Sequence, residues 1–134
     1  MKLTPKRLGI INFLIKDKRY YDPQTIRDRV KSRFDKLGLP TVYRILEELV
    51  DISLVSEVIS DKNKSFYFMC KKCIGEEKHH FICNSCHQVF CIDSCFIDKI
   101  KEELEEKQHF QILGHFLQIE GLCPKCLRKE KKQT

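Results

Sequence analysis

"KLGLPTVYRILEELVD", residues 36–51, decides the fold. Gly38 supplies a turn and Pro40 opens a helix, where its missing N–H costs nothing. Val42, Ile45, Leu46 and Leu49 then recur at i, i+3, i+4 and i+7, the spacing of one buried helical stripe. The other face carries Thr41, Tyr43, Arg44 and Glu48. Upstream, Thr4 followed by Pro5 is an N-cap and N1 pair, and Leu8, Ile11, Leu14 and Ile15 continue at helical spacing to about residue 17. A second helix is predicted from Pro23 to about Phe34, capped by Asp22, with Ile26, Val30 and Phe34 on one face. Downstream, "LVSEVIS" and "SFYFM" read as two strands around the polar turn "SDKNKS". Three short helices followed by a β-hairpin make the winged-helix layout, whose third helix enters the major groove while the hairpin lies along the DNA backbone. An ordinary core helix with a polar outer face would show the same stripe, so the rest of the chain has to decide.

The chain has 134 residues and a formal charge of +6, with 42% hydrophobic residues. That suffices for one ordinary domain or two small lobes that need extra cross-linking. No apolar run approaches the roughly 18 to 20 residues of a membrane span, and the N-terminus shows no cleavable leader, so a cytoplasmic location is expected. There the eight cysteines stay reduced, which makes metal a better use for them than disulfides. Four thiolates around one Zn²⁺ bring the charge to about +4, which still suits a polyanion as well as it suits plain solubility.

All the cysteines lie from Cys70 onward. This composition shift divides the chain into a winged-helix domain (1–70), a hinge (71–77) and a metal-containing domain (78–134). Within the last, "FICNSC" and "QVFCID" read as strands flanking a cysteine turn. Asp93 or Ser94 caps a helix to about Lys107, with Ile97, Ile100 and Leu104 facing inward. "FQILGHFLQIEGLC" reads as a long strand apolar on both faces, and "LRKEKKQT" as a frayed tail.

Cys83 and Cys86, and again Cys123 and Cys126, form CxxC knuckles. A two-residue spacer lets both sulfurs of a knuckle reach one ion about 2.3 Å away, and two knuckles complete a closed tetrahedral shell, which is a structural zinc site. Redox pairs or buried thiols are the other uses of such cysteines. A Cys91–His87 nucleophile is also conceivable, but no oxyanion hole, substrate motif or Gly-rich loop accompanies it, so an enzyme is not expected.

"LTPKR", "LPTVYRILEEL", "HHFICNSCHQV" and "GLCPKC", in that order and spacing over residues 3–127, resemble the ferric uptake regulator family of metal-responsive repressors. The resemblance implies an α+β protein: an N-terminal winged-helix DNA-binding domain followed by a small α/β dimerisation domain with a four-cysteine zinc site. It also implies a homodimer that binds double-stranded DNA at a palindromic operator, with no membrane and no small-molecule substrate as partner. Tyr43 and Arg44 match the family's recognition-helix residues, with Thr41 beside them, and Arg7 matches the arginine of its TPxR motif. Lys62 and Lys64 stand where the wing would meet phosphate.

The resemblance further implies a metal site at Glu77, His79, Asp98 and His115. The family's interlobe sensor site is where this chain departs. Tyr21 stands where relatives carry a histidine, Lys78 replaces the first histidine of an HxH pair, and Cys91 takes the place of an acidic residue. Sulfur compensates: Cys73 falls near a cysteine used by zinc-sensing relatives, Cys70 makes a further CxxC with it, and Cys91 and Cys95 add a Cx3C. A shell from Cys70, Cys73, His80 and Cys91 or Cys95 is soft and selects Zn²⁺ over Fe²⁺ or Mn²⁺. Alternatively Cys70, Cys73, Cys91 and Cys95 form a second closed structural zinc, or the thiols form a redox switch. The expected function is therefore a metal-responsive DNA-binding repressor holding structural Zn²⁺ and a second divalent metal. The alternatives are a thiol- or peroxide-responsive regulator of the same fold, or a zinc-ribbon adaptor.

Overall fold

The computed structural model describes residues 2–34, 36–60, 63–68, 79–92, 97–114 and 117–132. Helix α1 spans Pro5–Lys16, its first turn closed by the Thr4 side chain, which accepts a hydrogen bond from the Arg7 N–H. Asp22 caps α2, Pro23–Val30, in the same way, accepting from the Thr25 N–H at 3.3 Å. The chain then tightens into a 3₁₀ turn, Lys31–Arg33, rather than continuing as α-helix to Phe34. Helix α3, Leu39–Asp51, buries the expected stripe of Val42, Ile45, Leu46 and Leu49. It ends in a Schellman motif: the Ser53 N–H donates to the Val50 carbonyl at 2.9 Å and the Leu54 N–H to the Leu49 carbonyl at 3.1 Å. Ser53 takes the left-handed conformation, φ 62°, that glycine usually fills there.

Strands β1, Val55–Ser60, and β2, Asn63–Phe68, pair antiparallel from Val55 opposite Phe68 to Ser60 opposite Asn63. Phe66 and Val55 join Ile10, Leu14, Ile26, Val30 and the α3 stripe in one core, so the hairpin is packed onto the three helices. Gly9 belongs to the same packing, because a Cβ there would sit 2.8 Å from the Phe34 ring.

The C-terminal half is a three-stranded sheet of order β4-β3-β5. Strands β3, His79–Cys83, and β4, Val89–Ile92, form the expected hairpin around the cysteine turn. Helix α4, Ile97–Gln108, crosses over to β5, Ile119–Gly121, which runs parallel to β3. Helix α5 spans Pro124–Lys132.

Three expectations need correction here. The stretch 110–123 is not a long strand: among its described residues only Ile119–Gly121 enters the sheet, and Leu113 is 90% exposed. A strand apolar on both faces needs cover on both, and among the described residues β5 is an edge strand paired with β3 alone. Nor does α4 bury an inward face, since none of its residues is buried and Ile100 is half exposed. The tail is no frayed end either; Cys123 and Pro124 start a helix there, and the Leu127 N–H donates to the Cys123 carbonyl at 2.9 Å.

The two halves are stitched together by the segment between α1 and α2. Tyr21 exchanges both backbone hydrogen bonds with Phe66 of β2, at 2.9 and 2.8 Å. Just before it, the Tyr20 N–H donates to the His87 carbonyl (2.9 Å), and the Val89 N–H donates to the Lys18 carbonyl (2.8 Å). A second tie runs from the wing, where the Gln118 side-chain amide accepts from the Ile59 N–H and donates to the Ile59 carbonyl, both at 3.0 Å.

Candidate metal centre and nucleic-acid interface

Four thiols converge in the C-terminal half. Cys83 ends β3, Cys86 follows in the turn, Cys123 precedes α5 and Cys126 lies in its first turn. Their ligand atoms all lie within 4.8 Å of one another, and the Cys86 and Cys123 sulfurs are 3.8 Å apart. A tetrahedron of Zn–S bonds of about 2.3 Å has edges of about 3.8 Å, so the arrangement already has the dimensions of a zinc shell. Cys83, Cys123 and Cys126 are buried, and Phe81, Phe90 and Leu122 pack around them.

The electrostatics suit a metal as well. Burial alone would raise the Cys83 thiol, but backbone N–H groups of Cys86, Cys123 and Ser85 hold it at about 6. Two of these bonds reach its sulfur at 3.5 Å from Cys86 and 3.4 Å from Cys123. Cys83 is thus a thiolate near neutral pH. Burial, together with its hydrogen bond to Cys123, pushes Cys126 up to about 11. A cluster with a ready thiolate in Cys83 and a neutral thiol in Cys126 gives up a proton as it binds a cation.

Of the other expected ligands, Cys70, Cys73, Glu77, Cys95 and His115 lie outside the described residues. His80 is buried in β3. Its Nδ1 lies 3.1 Å from the Tyr67 hydroxyl of β2, while its buried Nε2 finds no hydrogen-bond partner among the described residues. Burial, and then the neighbouring His79, lowers its pKa. A neutral imidazole with an orphaned nitrogen is a fit metal donor. Cys91 stands directly across the ladder from His80, so the two side chains share one face of the hairpin. His79 is half-buried and Asp98 lies exposed in the first turn of α4. Tyr21 is otherwise engaged: its hydroxyl donates to Asp17 at 2.5 Å, and that bond holds the Asp17 carboxyl below its ordinary value.

Away from the thiols, α3 presents Tyr43, 39% exposed, and Arg44, also exposed, with Thr41 half-buried beside them. Lys64 in the wing is 3.8 Å from Glu57; Lys62 lies outside the described residues. Arg7 is tied to the helix it accompanies, donating through Nε to Glu48 at 2.9 Å, with its Nη2 2.8 Å from the same oxygen, and through Nη1 to the Lys2 carbonyl. Reasoning from sequence missed this pair, although Glu48 was visible on the outer face of α3. It also missed Tyr67 as the neighbour of His80, which no sequence spacing announces.

A winged helix with its reading helix exposed, joined to a sheet pinned by four thiols, defines a metal-responsive DNA-binding regulator. The model of the ferric uptake regulator family matches residues 1–120, and the chain belongs to that family. It is 29% identical over 130 residues to the ferric uptake regulation protein of Bacillus subtilis (strain 168), spanning 96% of this chain and 87% of that one. It is also 26% identical over 126 residues to the zinc uptake regulation protein of Mycobacterium tuberculosis (strain ATCC 25618 / H37Rv), spanning 94% and 95%. A solved zinc uptake regulator, complexed with zinc and DNA, superposes with a TM-score of 0.79 at 24% identity, covering 98% of this chain and 87% of that one. Like the rest of its family, the chain is a transcriptional repressor and not an enzyme. No helix among the described residues is long and apolar enough to cross a membrane.

Proposed function

We propose that the chain is a homodimeric, zinc-responsive repressor of a palindromic operator, with residues 1–70 reading DNA and residues 78–134 holding metal and the partner copy. The observation that carries the reading is the Nε2 of buried His80, without a hydrogen-bond partner among the described residues and placed at the junction of wing and second sheet beside Cys91. His80 would supply one donor to the sensed metal, and thiols from Cys70, Cys73, Cys91 or Cys95 the rest, a soft set that suits Zn²⁺ above Fe²⁺ or Mn²⁺. Bound metal there would fix the angle between the halves. Tyr67, in contact with His80, passes that restraint to the wing. Cys83, Cys86, Cys123 and Cys126 form the separate, closed zinc site. The donors Glu77, His79, Asp98 and His115 belong to a further regulatory site. Exposed Ile100, Phe110 and Leu113 are where the second copy lies. The paired halves set the spacing of two α3 helices to two successive major grooves. This is the work of a cytoplasmic regulator.

Metal removal tests the sensing half of this reading. Elemental analysis should find one zinc per subunit that resists mild chelation and one or two more, at the regulatory sites, that it removes, with affinity for a duplex selected by the protein from a random pool falling alongside the loss. Two resistant zincs would defeat the sensor assignment, and loss of binding on peroxide treatment instead of chelation would assign the signal to the thiols.

The reading helix has its own test. Arg44→Ala should weaken binding to that duplex by roughly 5- to 150-fold, the worth of one good base contact at about 1–3 kcal/mol, with zinc content unchanged. Lys64→Ala, a phosphate contact with Lys62 and Arg7, should chiefly flatten the salt dependence. Unaltered affinity in Arg44→Ala would remove α3 from the groove.

A further inference from the structure

The segment between α1 and α2 grips the metal-holding turn itself. Arg19 Nε donates to the Cys86 carbonyl at 3.0 Å and the Tyr20 hydroxyl to the Cys83 carbonyl at 3.4 Å. The Tyr20 ring stacks on the His87 imidazole, centroids 4.6 Å apart and planes 18° from parallel. His87 is held at φ 65°, an uncommon conformation for a residue with a side chain, and its N–H closes the turn onto the Cys83 carbonyl at 3.0 Å. The acceptors that Arg19 and Tyr20 use on this side thus belong to thiol ligands or to the residue that closes the ligand turn.

We propose that Arg19 and Tyr20 are positioning residues that dock the DNA-reading half on the Cys83/Cys86 knuckle, so that occupancy of the four thiols sets the attitude of α3 and not only the integrity of the second sheet. The inference rests on reading those thiols as zinc ligands. The directions of the Cys83 and Cys86 carbonyls follow from where their sulfurs are held, because the same short turn carries both. With the sulfurs fixed on one ion the turn has one shape, and the carbonyls stay where Arg19 and Tyr20 meet them. The restraint then continues by contact: Tyr21 shares a pair of backbone bonds with Phe66, and Phe66 packs in the core that contains the buried stripe of α3. This path is separate from His80, so the repressor has two metal-dependent links between its halves.

The test uses the full-length, zinc-loaded protein, with zinc measured by elemental analysis and amide exchange followed by mass spectrometry. Cys123→Ala serves as reference: if it kept wild-type zinc, the reading of the four thiols would fail, independently of the clamp. In Arg19→Ala/Tyr20→Ser, zinc content should stay at the wild-type value while exchange quickens at residues 87–90 and 64–68. Affinity for the selected duplex should fall about tenfold, within the usual range of coupling between sites. Should the double variant not fold, Arg19→Ala alone, at an exposed side chain, should give a smaller change of the same sign, and Arg19→Lys should recover part of it. Unchanged exchange and affinity with zinc retained would overturn the proposal. So would loss of the knuckle zinc, which would make the two residues supports of the metal site instead of a link from it.

Discussion

Cys123→Ala is expected to strip the four-thiol site of its zinc and to unfold the C-terminal half while the helical half stays folded. The reason lies in how little else holds that half. Among its described residues the buried apolar ones are Ile82 and the cysteines themselves, so a metal on the four thiols would take the place of a hydrophobic core. The substitution removes the Cys123 sulfur alone, since the N–H that helps to hold Cys83 as a thiolate and the carbonyl that starts α5 belong to the backbone and remain. Structural zinc in small sites is worth about 10–16 kcal/mol, as much as the whole stability of a typical domain. Calorimetry should therefore show only the transition of the helical half in the variant, whereas the zinc-loaded protein also shows that of the C-terminal half, with at least the four-thiol zinc lost from each subunit. A variant purified with its full zinc and an unshifted upper transition would mean that the site tolerates three sulfurs and is not structural.

Local chemistry made most of this legible in the sequence, and long-range chemistry did not. Thr4–Pro5 and Asp22–Pro23 cap their helices as read, because a cap involves a side chain and an N–H three residues away. The α3 stripe is buried as its period demands. Cysteine spacing identified the cluster because each knuckle is a local geometry and two knuckles suffice for one ion. The ladder between residues 18–21, Phe66 and residues 87–89 was illegible, since backbone pairing across distant segments leaves no residue signature. The α5 helix was hidden by its charge: a run of lysines reads as solvated, yet Cys126 anchors its first turn. The apolar stretch 110–123 was read as a strand because apolar residues on both faces imply cover on both, and its exposed Phe110 and Leu113 show that the described residues of the chain do not provide it. Ile100 on α4 misled for the same reason.

Phe66→Ala is the second large effect, and it should fall on the other half of the molecule. Phe66 is 1% exposed and is the largest of the fully buried side chains among the described residues. It sits where wing, helices and docking segment meet: opposite Glu57 in the β1–β2 ladder, bonded through its backbone to Tyr21, and packed in the core with Ile10, Leu14, Ile26 and the α3 stripe. Truncating a buried phenylalanine costs about 3–5 kcal/mol in transfer and cavity terms. The small size of the winged-helix half leaves little to absorb it, and at about 4–8 °C per kcal/mol its transition should drop by more than about 12 °C. Zinc content should be unchanged, since the four thiols lie on the other side of the docking segment. Thermal unfolding followed by far-UV dichroism, with elemental analysis on the same sample, separates this outcome from that of Cys123→Ala. A loss below about 1 kcal/mol, well under the usual cost of such a truncation, would show that the cavity collapses freely, and hence that β2 is not packed tightly enough to pass restraint from the knuckle to α3.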